Sequence, residues 1–212
     1  MKTVRIGILV SGGGRGSNVH AILSAINAGQ LQAHIALLVA TKEDHGAVAL
    51  AREAGVKTLV LPTKECATPE EWDHRVADAL YQEGVSLVCL AGYLRRLTHV
   101  LLDAFPRRII NVHPSLLPSF GGKGMYGTRV HRAVLDYGCK VTGCTVHFCN
   151  EHLDAGAIIA QACVPVEDDD TPDTLQARVQ KQEHRLYPQC IQLIAQDRVR
   201  FDGAVVKIRK AE

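Results

Sequence analysis

The most constraining feature of the chain is an alternation, through its first half, of short β-branched apolar runs with longer amphipathic stretches. Near-continuous apolar runs suit strands covered on both faces, and amphipathic stretches between them suit crossover helices. The pattern therefore predicts βαβ units around a parallel sheet, with right-handed connections. Strands are expected at residues 4–10, 34–40, 58–61, 85–90 and 108–112. Helices are expected at 18–28, where Val19, Ile22, Leu23 and Ile26 share a face, at 46–54, and at 69–83. The last is opened by Thr68 as cap and Pro69 at the first helical position.

After Val112 the character changes to a Pro- and Gly-rich loop over 114–127, then a helix at 128–137 and strands at 141–149 and 157–164. The acidic stretch 167–170 followed by Thr171-Pro172 predicts the start of a long helix reaching about Gln196, because negative charge suits the N-terminal dipole. The tail, 198–210, reads as a hairpin turning at Asp202-Gly203. With no internal repeat, low-complexity segment or linker, the expected fold is one α/β domain over 1–212, mostly parallel and twisted, with helices on both faces. Its expected halves are 1–112, βαβ and phosphate-binding, and 113–212.

Composition narrows the partners. Lys+Arg number 24 against Asp+Glu 22, so no basic surface points to nucleic acid or an anionic membrane, and an anionic ligand requires a local pocket. No apolar run approaches the ~20 residues that span a bilayer. The N-terminal apolar stretch is short and runs into glycines instead of a cleavage site, which predicts a buried first strand and not a signal peptide. Seven cysteines, odd in number and without a C-x-x-C pair, argue against a disulfide framework and a zinc site; a reducing cytoplasm suits them.

Three segments can carry chemistry. Between strand one and helix one lies Ser11-Gly12-Gly13-Gly14-Arg15-Gly16-Ser17-Asn18. Backbone amides at a helix N-terminus, unobstructed by side chains, form a phosphate site. The cluster lacks the Gly-Lys-Ser/Thr ending of a nucleotide-triphosphate loop and fits a dinucleotide fingerprint poorly, and a tight turn without ligand is the alternative. At the end of strand five, in Asn111-Val112-His113-Pro114-Ser115, alternation puts Asn111 and His113 on one side at the carboxyl edge, where open α/β sheets bind ligands. An amide and an imidazole there can both donate to one developing oxyanion. A structural histidine and a strand-ending Asn are the plainer alternatives. Third, Leu153-Asp154-Ala155-Gly156 is either turn chemistry or, if Asp154 lies beside His113, a carboxylate that stabilises an imidazolium acting as an acid.

These elements in this order, with Ala91-Gly92-Tyr93-Leu94-Arg95-Arg96-Leu97 before and Arg178-Val179-Gln180-Lys181-Gln182-Glu183-His184 after, resemble the folate-dependent formyltransferases over essentially the whole chain. HPSLLP followed by V-H-F and LD-x-G carries the resemblance; the R-V-Q-x-Q-E-H string is similar to the glycinamide ribonucleotide branch. The resemblance implies a Rossmann-like formyltransferase fold. It also implies transfer of formyl from 10-formyltetrahydrofolate, a co-substrate, to the amine of 5-phosphoribosylglycinamide in purine synthesis, without a metal. By motif match it implies Asn111, His113 and Asp154 as a catalytic trio, and Gly16, Ser17 and Asn18 on the substrate phosphate. Gln180 and Glu183 would contact the phosphate end and the ribose, while Leu94, Arg95, Arg96 and Leu97 with Asn111, Asn150, Glu151, His152, Leu153 and Asp154 would line the folate cleft. A cytoplasmic monomer or homodimer is expected.

The chain departs from the family pattern in places. Its glycine loop is two residues longer than the usual S-G-x-G-S-N, leaving Arg15 as either an added phosphate contact or a solvated side chain. Thr41-Lys42 stands where many members have Asn-Lys, and Pro69 where some place a folate-contacting Arg. The loop 119–127 is also long; a flap that orders over substrate and a tolerated insertion are both open. Among relatives sharing the trio, the formyl-folate hydrolases add an N-terminal domain and the tRNA formyltransferases a C-terminal one, and the length is expected to leave room for neither. A non-catalytic sensor of the phosphoribosyl ligand would not need an oxyanion site.

Overall fold

The computed structural model describes residues 3–210, which divide into two compact units that meet in sequence between Asn111 and Val112. A seven-stranded, mostly parallel sheet runs in the order Thr58–Val60, Ala33–Ala40, Val4–Val10, Leu87–Leu90, Ile109–His113, Val141–Phe148, Ile158–Pro165, and a two-stranded sheet pairs Val199–Asp202 with Val205–Ile208.

In the first unit, β1 (Val4–Val10), β2 (Ala33–Ala40), β3 (Thr58–Val60) and β4 (Leu87–Leu90) pair in parallel, and β4 pairs in the same sense with β5 (Ile109–His113), whose last two residues are counted with the second. The last five residues of β1 and the last six of β2 are all buried, as expected of strands covered on both faces. α1 (Ser17–Asn27), α2 (Gly46–Glu53) and α3 (Pro69–Gln82) are the connecting helices. α3 starts as its sequence predicts: Thr68 accepts from the Glu71 amide, Pro69 occupies the first turn, and Trp72, Val76, Ala77 and Leu80 form the buried face. Trp72 satisfies its indole N–H on the Leu61 carbonyl at 2.9 Å.

Two expectations shift. β4 begins at Leu87 and not at Val85, because the Val85 amide is taken by the Leu80 carbonyl in the turn that ends α3. A short helix, α4 (His99–Ala104), fills a segment for which no element was expected; six residues are too few to display a helical period.

In the second unit, α5 (Thr128–Tyr137) precedes β6 (Val141–Phe148) and β7 (Ile158–Pro165), which pair antiparallel with an irregularity at Val146/His147. α6 (Pro172–Ala195) opens with a capping box in which Thr171 and Thr174 exchange side chain-to-backbone bonds. Arg178 braces this start through a two-point pair with Asp170, whose carboxyl it holds down to about 2. β8 (Val199–Asp202) and β9 (Val205–Ile208) make the terminal hairpin. No helix among the described residues is long and apolar enough to cross a membrane.

Candidate active site

The glycine loop of the first unit leads directly into α1. Gly16 is the N-cap in the left-handed region, φ 79°, and a Cβ there would lie 2.8 Å from the Ala47 backbone, so only glycine combines this turn with this approach. No side chain caps α1, whose N-terminus carries the positive end of the helix dipole. Ser11, at the end of β1, ties the loop to the segment after β4. Its hydroxyl accepts the Leu94 amide at 2.7 Å and its own amide donates to the Gly92 carbonyl. Arg15 is exposed.

The segment holding Leu94, Arg95, Arg96 and Leu97 is held from below. Thr98 donates through both its amide and its hydroxyl to the buried Asp73 carboxylate, at 2.7 and 2.8 Å. Burial raises the Asp73 pKa, and the Thr98 hydrogen bonds oppose that shift. The Arg95 guanidinium stacks over the Trp72 ring at 4.9 Å, and Leu94 and Arg96 are exposed.

Strand β5 ends at His113 with Asn111 two residues earlier, so alternation sends both side chains to the same side of the strand. Asn111 is half-buried and His113 buried. In the second unit, His113 Nδ1 lies 3.6 Å from Asp154 Oδ1, with side chains only 4% and 9% exposed. The other ring nitrogen, Nε2, is 2.9 Å from the Phe120 carbonyl. A carbonyl can only accept, so Nε2 carries a proton toward Phe120, while Nδ1 faces the Asp154 carboxylate just beyond hydrogen-bond distance. Asp154 sits at φ 55°, a left-handed conformation that Asp tolerates better than most residues, and its Oδ2 accepts the Gly122 amide at 2.8 Å.

Several groups around this pair carried no sequence expectation. His147 Nε2 is 3.9 Å from the same Asp154 oxygen; burial lowers its pKa, opposed by the Phe148 carbonyl and by Asp154. His131, in α5, is buried, and burial together with the charge of His113 pushes it down to about 4. Thr145 accepts the Leu117 amide at 3.0 Å and donates to the Ser115 carbonyl at 2.7 Å, holding the HPSLLP turn. Period-two alternation along β6 would have paired Thr145 with His147 on one side, the signal that points to both.

Asn150, Glu151, His152 and Leu153 follow β6. Asn150 Oδ1 accepts the His152 amide at 3.0 Å in an Asx turn, Glu151 and His152 lie 3.5 Å apart, and Leu153 is exposed. On α6, Gln180 and Glu183 stand three residues apart on one face; Gln180 is half-buried and Glu183 buried, close enough to Cys144 to help push that thiol up to about 12. A buried imidazole N–H backed by a carboxylate can donate to charge developing on a carbonyl oxygen.

A family model described as Formyl transferase matches residues 4–191. The chain is 41% identical over 202 residues to the chloroplastic phosphoribosylglycinamide formyltransferase of Arabidopsis thaliana, covering 93% of this chain and 67% of the plant protein. It is 34% identical over 197 residues to the phosphoribosylglycinamide formyltransferase of Haemophilus influenzae, covering 93% of this chain and 90% of that protein. Glycinamide ribonucleotide transformylase 1 from Symbiobacterium toebii superposes with a TM-score of 0.92 at 40% identity, covering 98% of this chain and 95% of that one.

Proposed function

This chain belongs to the formyl transferase family, and from that premise we propose that it moves a formyl group from 10-formyltetrahydrofolate to the amine of 5-phosphoribosylglycinamide, in purine assembly. The observation that carries the proposal is the buried His113–Asp154 pair, 3.6 Å apart, at the end of the strand that also bears Asn111.

The neutral amine attacks the formyl carbon. A C–N bond forms, and the carbonyl π pair moves to oxygen. Asn111 and the His113 Nε2–H donate to that oxyanion, while Asp154 holds the ring in orientation and balances its charge. The intermediate collapses with the tetrahydrofolate nitrogen as leaving group, and a water carries the proton from the attacking amine to it. Gly16, Ser17 and Asn18 hold the phosphate through amides at the α1 N-terminus, and Gln180 and Glu183 hold the phosphate end and the ribose. Leu94, Arg95, Arg96 and Leu97, and the residues from Asn150 to Leu153, hold the folate. We take 1–212 as one catalytic domain, its βαβ half, 1–112, carrying the phosphate amides of α1 and its second half, 113–212, the His113–Asp154 pair. A reducing cytoplasm suits the seven cysteines, all of them free thiols.

The test follows formyl loss from 10-formyltetrahydrofolate spectrophotometrically, with and without glycinamide ribonucleotide. Strict dependence on the amine is expected; equal loss in its absence would make water the acceptor and overturn the proposal.

A further inference from the structure

His45 has a buried donor that neither the fold nor the reaction above uses. As N-cap of α2, it accepts the Ala47 amide on Nδ1 at 3.1 Å. A nitrogen that accepts carries no proton, so the proton of the neutral ring is on Nε2. Burial lowers the ring's pKa, against a smaller opposing pull from the Asp44 carboxylate, and so favours the neutral ring. His45 is 2% exposed, yet its Nε2 has no hydrogen-bond partner among the described residues. Buried polar atoms are almost always paired, so an exception calls for a reason.

The position of the ring supplies one. Nε2 lies 3.0 Å from the point a Cβ on Gly14 would occupy, so the N–H edge of the ring lies against the glycine loop and a side chain at Gly14 would crowd it. The Gly46 amide donates to the Gly14 carbonyl at 3.1 Å, and a Cβ on Gly46 would lie 2.7 Å from the Arg15 carbonyl. Gly16, one residue on, packs on the Ala47 backbone. The loop thus rests on the first turn of α2 while capping α1, and the positive ends of two helix dipoles meet at it. Two carboxylates oppose an anion here, but Glu43 is neutralised by Arg52 and Asp44 is exposed.

We propose that His45 is a phosphate-binding residue: its Nε2–H donates to the phosphate of the sugar-phosphate substrate, adding a side-chain contact from the α2 N-cap to the amides of α1. The nature of the anion rests on the function proposed above; the donor itself rests on the geometry.

The test titrates ribose 5-phosphate against the whole protein by calorimetry, for wild type and His45→Asn. Asn retains the cap on Ala47 but is too short to present the distal N–H. A hydrogen bond to a charged group predicts a rise in Kd of roughly 10- to 100-fold, with the melting temperature held close to that of wild type. An unchanged Kd overturns the proposal, as does absence of ribose 5-phosphate binding to wild type. Should His45→Asn also lower the melting temperature, the 15N resonance of His45 Nε2 in wild type decides: it shifts on adding ribose 5-phosphate if the contact exists, and an unmoved resonance at saturation rejects it. Neither readout requires turnover. Binding lost in His45→Asn in a protein without amine-dependent formyl transfer supports this residue and rejects the function; the converse pair of results does the reverse.

Discussion

Asp154 meets His113 at 3.6 Å with one carboxylate oxygen and the Gly122 amide at 2.8 Å with the other. One residue thus holds both the imidazole and the start of the glycine-rich loop. If the pair stabilises the oxyanion, His113→Ala or Asp154→Asn lowers kcat by roughly 10²–10³. Asn tolerates the left-handed backbone at 154 and still accepts from Gly122, so the melting temperature of Asp154→Asn is expected to stay close to wild type. Steady-state assays of both purified variants measure this, and near-normal turnover in either removes it from the catalytic trio.

The Phe120 carbonyl occupies His113 Nε2, the donor assigned to the oxyanion. Substrate must therefore displace it, and the loop beyond it must rearrange. Hydrogen exchange across residues 121–127 is expected to change when glycinamide ribonucleotide and a folate analogue bind, the Gly122 amide foremost. Identical protection with and without ligands would mean that the loop is a static insertion.

Gly16→Ala combines a left-handed backbone, costing about 1–2 kcal/mol, with a 2.8 Å collision against Ala47. The chain relieves both by shifting the glycine loop. A lowered melting temperature and weaker binding of ribose 5-phosphate are expected together; a variant that melts and binds like wild type would show that the loop needs no glycine there.

His131 is held neutral when folded, its pKa down at about 4, whereas in the unfolded chain it titrates near the usual ~6.5. The unfolded state therefore takes up the proton first, and stability falls as pH drops below about 6.5, levelling off near 4. Denaturant titrations across this range are expected to show a shallower slope for His131→Gln. An unaltered slope would assign the acid sensitivity to other groups.

Asp170 has the opposite sense of charge. Arg178 holds its carboxyl at about 2, so the pair's contribution is complete above the unfolded value of ~3.9 and is lost as pH falls toward about 2. Asp170→Asn is expected to be less stable at neutral pH and to lose less on acidification in that window. Acid-unfolding curves that run parallel for the two proteins would count against it.

Much of the fold was legible because periodicity and capping are local. The helix at Thr128–Tyr137 and the strand at Val4–Val10 have the bounds expected from the sequence, and Thr68 caps α3 as its spacing with Pro69 indicates. Boundaries slipped where a turn takes the backbone, as at Val85, whose amide goes to the Leu80 carbonyl at the end of α3. At the site, Asn111 and His113 were readable from one strand's alternation, while Asp154 entered only as a turn residue that could lie nearby.

The sequence by itself determined the strands and all but the shortest α-helix, that a glycine loop precedes α1, and that an amide and an imidazole share one side of β5. These depend on residues within a few positions of one another. Tertiary structure alone decided that Asp154 and His147 converge on His113's surroundings, that Phe120 occupies its Nε2, and that His45 lies under the glycine loop. Such contacts join residues far apart in the chain, and chain-local pattern carries no distance between them until the backbone is folded.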